Sequence, residues 1–68
     1  MTDEQRDRAR KALELAIDEV GGASRLAEKL EITRGAVYQW DVCPADRCVD
    51  VEKHSGIPRT ALRPDVFR

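Results

Sequence analysis

The chain has 68 residues, of which 37% are charged and 4% aromatic, and its formal net charge is −1. A chain of this length affords only a small core, so we expect a single domain over residues 1–68 to which any burial between protomers would add stability. The N-terminus lacks the apolar segment of a signal peptide and no stretch approaches the roughly 18 apolar residues of a membrane span, which predicts a cytoplasmic protein with no membrane partner.

The first predicted element is a long amphipathic helix. Thr2 is placed to cap it, and Gln5 follows three residues later, as in a capping box. Apolar residues then recur at helical spacing until Gly21-Gly22, so the helix spans about residues 3–20. No long run alternates apolar and polar residues as a half-buried strand does. The sequence therefore predicts an all-α fold, a small bundle of four to five helices.

Two features of this helix leave alternatives open. Leu15 lies off the apolar stripe, so it either covers a second neighbour or belongs to a partner surface. Basic residues cluster in the first half of the helix among acidic ones, and we interpret them as a solvated charged end, with phosphate contact as the alternative. These bases are Arg6, Arg8, Arg10 and Lys11.

Two shorter helices follow with a tight turn between them. The second helix is predicted from Gly22 to Leu30, and Thr33 is a good N-cap for the third. Glu31 falls in the turn, where the backbone tends towards a left-handed conformation and glycine is commonest. A glutamate there is expected to lower the stability of the fold by on the order of 1 kcal/mol. The apolar residues of both helices can close on each other. They are Leu26, Ala27, Leu30, Ile32, Ala36, Val37 and Trp40.

This pattern predicts a helix-turn-helix, whose second helix lies in the DNA major groove. Arg34 can present a guanidinium fork to guanine O6 and N7, and Gln39 can pair with adenine N6 and N7. Gly35 lets the helix approach closely, and Tyr38 can meet a phosphate or a thymine methyl. An ordinary solvated helix face is the alternative, but the two-helix context favours base reading by these four residues.

Contacts to the DNA backbone are predicted outside that face. Ser24 and Arg25 begin the second helix, where free amides and the helix dipole suit a phosphate, and Thr33 caps the third. Arg47 is a further candidate, one turn into the next helix, with pairing to neighbouring acids as the alternative. Residues 21–40 are the only positive third of the chain, with a net charge of +1. The electrostatic support for DNA binding is therefore small.

The C-terminal part is predicted to be helical as well. Pro44 suits the first turn of a fourth helix that ends at Ser55-Gly56, and Arg59 to Leu62 form one more turn, stopped by Pro64. Its buried side is predicted to hold Ala45, Cys48, Val49 and Val51.

Two contacts are predicted in the tail. Glu52 is placed to pair with Arg59 or Arg63. The only phenylalanine, Phe67, either tucks into its own core or, with Val66, forms a dimer contact.

Soft metal ligands are few. Cys43 and Cys48 lack the two-residue spacing of a zinc or redox pair, and Cys48 and His54 would point about 120° apart on one helix. We expect two reduced, packed thiols and no metal or other cofactor. The lone histidine has no nucleophile at a persuasive spacing and there is no glycine-rich phosphate loop, so we expect neither an enzyme nor a small-molecule substrate.

With these residues laid out, the chain resembles the small Cro-type phage repressors and, more closely, the YdaS-type antitoxins of prophages. The likeness covers about residues 20–67, and Glu31 departs from its usual turn glycine. The tryptophan that ends the third helix and the Leu-Arg-Pro-Asp sequence near the end are its most specific features. The residues that carry it are Gly21-Gly22, Leu26-Ala27, Ala36-Val37-Tyr38-Gln39-Trp40, Pro44, Val51-Glu52, Gly56 and Leu62-Arg63-Pro64-Asp65.

The resemblance implies a lambda-repressor-like DNA-binding domain that binds a pseudo-palindromic operator on double-stranded DNA as a homodimer. It places Arg34, Gly35, Tyr38 and Gln39 at the base-reading positions and Ser24 and Arg25 at the backbone positions. The alternative function is an antitoxin-like or adaptor module whose helical face binds a protein, which the near-neutral charge favours.

Overall fold

The computed structural model describes residues 1–67. Within this range the chain forms five α-helices and one 3-10 turn, and no strand. They are α1 (Asp3–Val20), α2 (Ala23–Leu30), α3 (Arg34–Tyr38), the 3-10 turn (Ala45–Arg47), α4 (Cys48–Ser55) and α5 (Arg59–Leu62). The predicted all-α class is therefore confirmed. None of these helices has the length and hydropathy that crossing a bilayer requires.

Helix α1 begins and ends where its local sequence predicts. Thr2 Oγ1 accepts a hydrogen bond from the Gln5 amide at 3.1 Å, and Gln5 Oε1 accepts one from the Thr2 amide at 3.0 Å, which completes the capping box. Gly21 ends the helix with a left-handed φ of 98°. Leu15 is 55% exposed, so it covers no second neighbour within the described chain.

The core lies where α1 packs against α2, α4 and α5. Its largest fully buried side chains are those of Leu26, Val51, Leu62 and the two cysteines. Cys43 and Cys48 carry free thiols, as expected. Burial raises the pKa of both thiols above the usual range, which leaves them protonated and unreactive at neutral pH.

The fourth helix differs from its prediction at its start and on its buried side. Pro44 opens a 3-10 turn, and the α-helix begins only at Cys48. Val49 is 50% exposed, so its predicted burial is wrong, and Ala45 is only partly buried. Cys48 and Val51 take the inward side, and Val49, about 100° away from Cys48 around the axis, turns to solvent.

Glu52 connects α4 to α5. One of its carboxylate oxygens accepts a hydrogen bond from the Arg59 amide at 3.1 Å, and the other lies 3.8 Å from Arg59 Nε. The predicted pairing of Glu52 is confirmed with Arg59, and the carboxylate also meets the positive end of the α5 dipole. Arg63 instead pairs with Asp65.

The C-terminal segment packs on the chain's own core. Phe67 is partly buried against the core cluster, and the Arg59 guanidinium lies over its ring, 5.5 Å from the centroid. Of the two alternatives for Phe67, its own core is the one observed. Val66 remains 47% exposed, and its place in a dimer contact stays a prediction.

Acid is expected to weaken the local structure of this segment. Hydrogen bonds from the Arg63 guanidinium, at 2.8 and 2.9 Å, lower the pKa of Asp65 from its usual 3.8 to about 2. Because the folded pKa lies below the unfolded one, the stabilisation is present above about pH 4 and is lost as the pH falls towards 2. Urea unfolding between pH 2 and 5 should show that Asp65→Asn removes this part of the acid dependence. An unchanged dependence in the variant would contradict the assignment.

Candidate nucleic-acid interface

The turn between α2 and α3 is built by its backbone. Glu31 has a left-handed φ of 58°, and the Ile32 amide donates to the Ala27 carbonyl at 2.9 Å, so the helix ends in a Schellman-type closure. Thr33 Oγ1 then accepts a hydrogen bond from the Ala36 amide at 3.2 Å and starts α3. The predicted bihelical unit is present, including the left-handed turn without glycine.

Its apolar side is closed. Leu26, Ala27 and Leu30 of α2 are buried, as is Val37 of α3, and Ile32 and Trp40 pack against the same core. Since α2 and α3 share this contact, the orientation of α3 is set largely by core packing.

The polar side of α3 is open. Arg34, Gly35, Tyr38 and Gln39 are all exposed, and Tyr38, at 70%, is the most exposed of the large hydrophobic side chains in the described chain. Helical spacing groups them on one side, opposite the buried Val37. The structure therefore brings the four predicted base-reading residues together on one accessible surface, which we call the reading face.

Helix α3 is shorter than the sequence indicates. Regular α-helix ends at Tyr38, Gln39 is its C-cap, and the Trp40 amide donates to the Val37 carbonyl at 3.1 Å. This closing bond spans three residues rather than four, as in a 3-10 turn. Gln39 thus leaves from the end of the helix, and Trp40 lies beyond it.

The start of α2 offers free amide groups. Its N-cap is Gly22, which provides no side-chain cap, and its first turn contains no acidic residue. Both features suit an anion, because the first N–H groups of a helix lack partners within it. Ser24 and Arg25 are exposed at this point. A Cβ on Gly21 would lie 2.9 Å from Arg25 Cδ, so the bare glycine leaves room for the arginine stem at this corner.

The two other predicted backbone contacts differ in their setting. Thr33 is exposed, and its hydroxyl oxygen already caps α3, which leaves the hydroxyl proton free to donate. Arg47 lies in the 3-10 turn rather than inside the fourth helix, and it is partly buried. Within residues 1–67 no ion pair joins it to Asp46 or Asp50.

Asp41, which the sequence analysis does not single out, lies shortly after the end of α3. Asp41 pairs with Arg10, and its Oδ2 lies 3.8 Å from Arg6 Nε. Arg8 pairs instead with Glu4 at 2.7 Å. The three arginines of α1 are thus engaged by acidic side chains, which agrees with their interpretation as a charged end. No local signal marks the Asp41 pairing, because the partners are 31 residues apart.

The possible metal ligands form no site in the part of the chain that the structure describes. No group of three or more His, Cys, Asp or Glu side chains is arranged to hold a metal ion there. Cys43 and Cys48 lie together in the core, where both thiols approach the Pro44 carbonyl. His54 is exposed on α4.

Comparison with known proteins gives one family. The model of the family described as "Bacterial toxin YdaS" matches residues 13–68, which is most of the chain and includes the whole bihelical unit. That description is of a toxin, whereas the resemblance seen in the sequence is to antitoxins. The match supports the YdaS side of that resemblance and not the Cro side. No curated protein and no solved structure matched the chain.

Proposed function

The chain belongs to the YdaS family, and we propose that it is a sequence-specific DNA-binding transcriptional regulator. In this proposal it acts as a Cro-like phage or prophage repressor and binds a pseudo-palindromic operator as a homodimer. Arg34, Gly35, Tyr38 and Gln39 meet base edges, and the backbone contacts come from Ser24, Arg25, Thr33 and Arg47. The proposal also takes the protein to be cytoplasmic, to need no cofactor and to catalyse no reaction.

The observation that carries the proposal is the reading face itself. Four residues with the chemistry of base recognition occupy the solvent side of the second helix of a bihelical unit, while its other side is buried. An α-helix fits the major groove, where arginine and glutamine can each make two hydrogen bonds to one base. The uncapped start of α2 adds a place for a phosphate.

Gly35 supports the proposal independently. It has no positive φ, and a Cβ built on it would meet only Thr33 Oγ1, at 4.0 Å. Glycine in the middle of a helix costs about 0.5–1 kcal/mol relative to alanine, and Gly35, the second residue of α3, costs at most about this much. The backbone conformation and packing at this position therefore do not require a glycine. Close approach of another molecule to the first turn of α3 gives a reason for it.

Gly35→Ala is expected to raise stability and weaken DNA binding together. The folded state should gain up to about 1 kcal/mol relative to the unfolded chain. The added methyl group should crowd the groove and cost about 1 kcal/mol or more of binding free energy, which is about fivefold or more in Kd. Urea unfolding and a duplex titration measure the two effects. Thr60→Ala, an exposed change on α5, is the control and should leave DNA binding unchanged. Tighter or equal binding by Gly35→Ala would contradict the role of Gly35.

A second candidate function is a protein-interaction module that uses the same helical face. The net charge of −1 favours it, because duplex DNA rewards a positive surface, and so does the toxin description of the family. Such a module would bind its protein partner whether or not DNA is present.

A binding-site selection on random duplexes tests the proposal. Recovery of one sequence, with two half-sites related by two-fold symmetry about one helical turn apart, is the expected result. Enrichment of a single unrepeated half-site would contradict the dimer, and absence of enrichment would contradict sequence-specific binding.

A further inference from the structure

Ion pairs connect the segment after the C-terminal end of α3 to α1. Asp41 follows Trp40 directly, and its carboxylate accepts a hydrogen bond from the Arg10 guanidinium. Arg6, one helical turn earlier on α1, approaches the other carboxylate oxygen at 3.8 Å. All three side chains are about half exposed. We call Asp41, Arg6 and Arg10 the clamp.

Few backbone hydrogen bonds hold the C-terminal end of helix α3. It contains five residues, of which Val37 is the buried one. Beyond Tyr38 the backbone is held by the bonds of the Gln39 amide to Gly35 and Ala36 and by the bond of the Trp40 amide to Val37. Trp40 is only partly buried. Core packing through Val37 sets the orientation of α3 as a whole. The direction of its last residues depends in addition on how Trp40 and Asp41 are held.

The clamp shares no residue with the proposed DNA contacts. Arg6 and Arg10 lie in the first half of α1, whereas Ser24 and Arg25 lie at the start of α2. Asp41 borders a shallow groove between α1 and α3 that Arg10, Glu14 and Tyr38 also line.

We propose that Asp41 is a positioning residue for DNA recognition, acting through Arg10 and Arg6 to hold the C-terminal end of α3. The clamp keeps Tyr38 and Gln39 in the direction in which they meet the DNA. The inference rests on the proposed function of the reading face. It also goes beyond the family match, because Arg6 and Arg10 precede the matched residues 13–68.

Two substitutions of opposite charge separate positioning from simple electrostatics. Asp41→Asn makes the protein more positive by one charge, and Arg10→Gln makes it more negative by one. If charge alone mattered, the first would strengthen DNA binding and the second would weaken it. Positioning predicts that both weaken it, and that the double variant is no weaker than Asp41→Asn alone, since Asp41→Asn already removes both ion pairs of the clamp.

The experiment compares Asp41→Asn, Arg10→Gln, the double variant and the conservative Asp41→Glu on the duplex that the wild type selects. The three clamp-breaking variants should bind about fivefold more weakly, the loss that corresponds to about 1 kcal/mol. Asp41→Glu should bind nearly as the wild type. The matched control is Glu14→Gln, which makes the same charge change as Asp41→Asn in the same groove and breaks no ion pair of the described chain.

Hydrogen exchange in the free protein provides a readout that needs no DNA. The Gln39 and Trp40 amides should exchange faster in Asp41→Asn, and the amides within α4 should not change. Equal exchange, or tighter DNA binding by Asp41→Asn, would overturn the inference while leaving the proposed function in place. Failure of the wild type to select any duplex would overturn the proposed function itself, and with it the role of Asp41 on DNA.

Discussion

Arg34→Ala is expected to weaken binding to the selected duplex by about 1–3 kcal/mol and to relax discrimination at one base pair. Arg34 is exposed in the first turn of α3, and its guanidinium has no ion-pair partner within residues 1–67. It is therefore available to make two hydrogen bonds to a guanine. Titrations of the selected duplex and of its single-base variants measure both effects.

Lys53→Ala is the matched control for this prediction. Lys53 is an exposed base on α4, outside the reading face, so its replacement removes the same charge without removing a base contact. It should reduce affinity slightly and equally for all sequences. If Arg34→Ala loses no more affinity than Lys53→Ala and keeps its discrimination, Arg34 does not read a base.

Leu26→Ala is expected to destabilise the fold by about 2–5 kcal/mol. Leu26 is fully buried in α2, where it belongs to the core that joins the bihelical unit to the rest of the chain. A domain of this size has a small reserve of stability, so the loss should leave much of the variant unfolded at room temperature. Urea unfolding followed by far-ultraviolet circular dichroism measures it.

Two further variants bracket that result. Leu15→Ala removes the same side chain from a position that is 55% exposed, and it should cost little. Leu26→Met keeps the volume and should cost less than about 1.5 kcal/mol. If Leu26→Ala and Leu15→Ala unfold at the same urea concentration, the packing described for α2 is wrong.

Local signals in the sequence predict several of the helix ends. Thr2 and Gln5 cap α1, Thr33 caps α3, and Gly21 and Gly56 end α1 and α4, all as their residue types indicate. Each of these signals acts through hydrogen bonds or backbone preferences within a few residues. The exposure of the reading face also follows, because it depends on the period of a single helix.

Features that depend on distant contacts could not be predicted in the same way. Asp41 pairs with a residue 31 positions earlier, and no periodicity links the two. Val49 is apolar but lies off the inward side of α4, which Cys48 and Val51 occupy. The early end of α3 likewise depends on how the segment after Trp40 returns to α1. Tertiary packing decides each of these.

The central claim is that the reading face binds duplex DNA, and titration of a labelled random duplex pool tests it most directly. At about 50 mM salt the protein should bind the pool, and at about 200 mM salt the affinity should fall steeply as phosphate contacts lose their counterion-release contribution. Absence of binding at the lower salt concentration would contradict the claim and leave a protein-interaction module as the function to pursue.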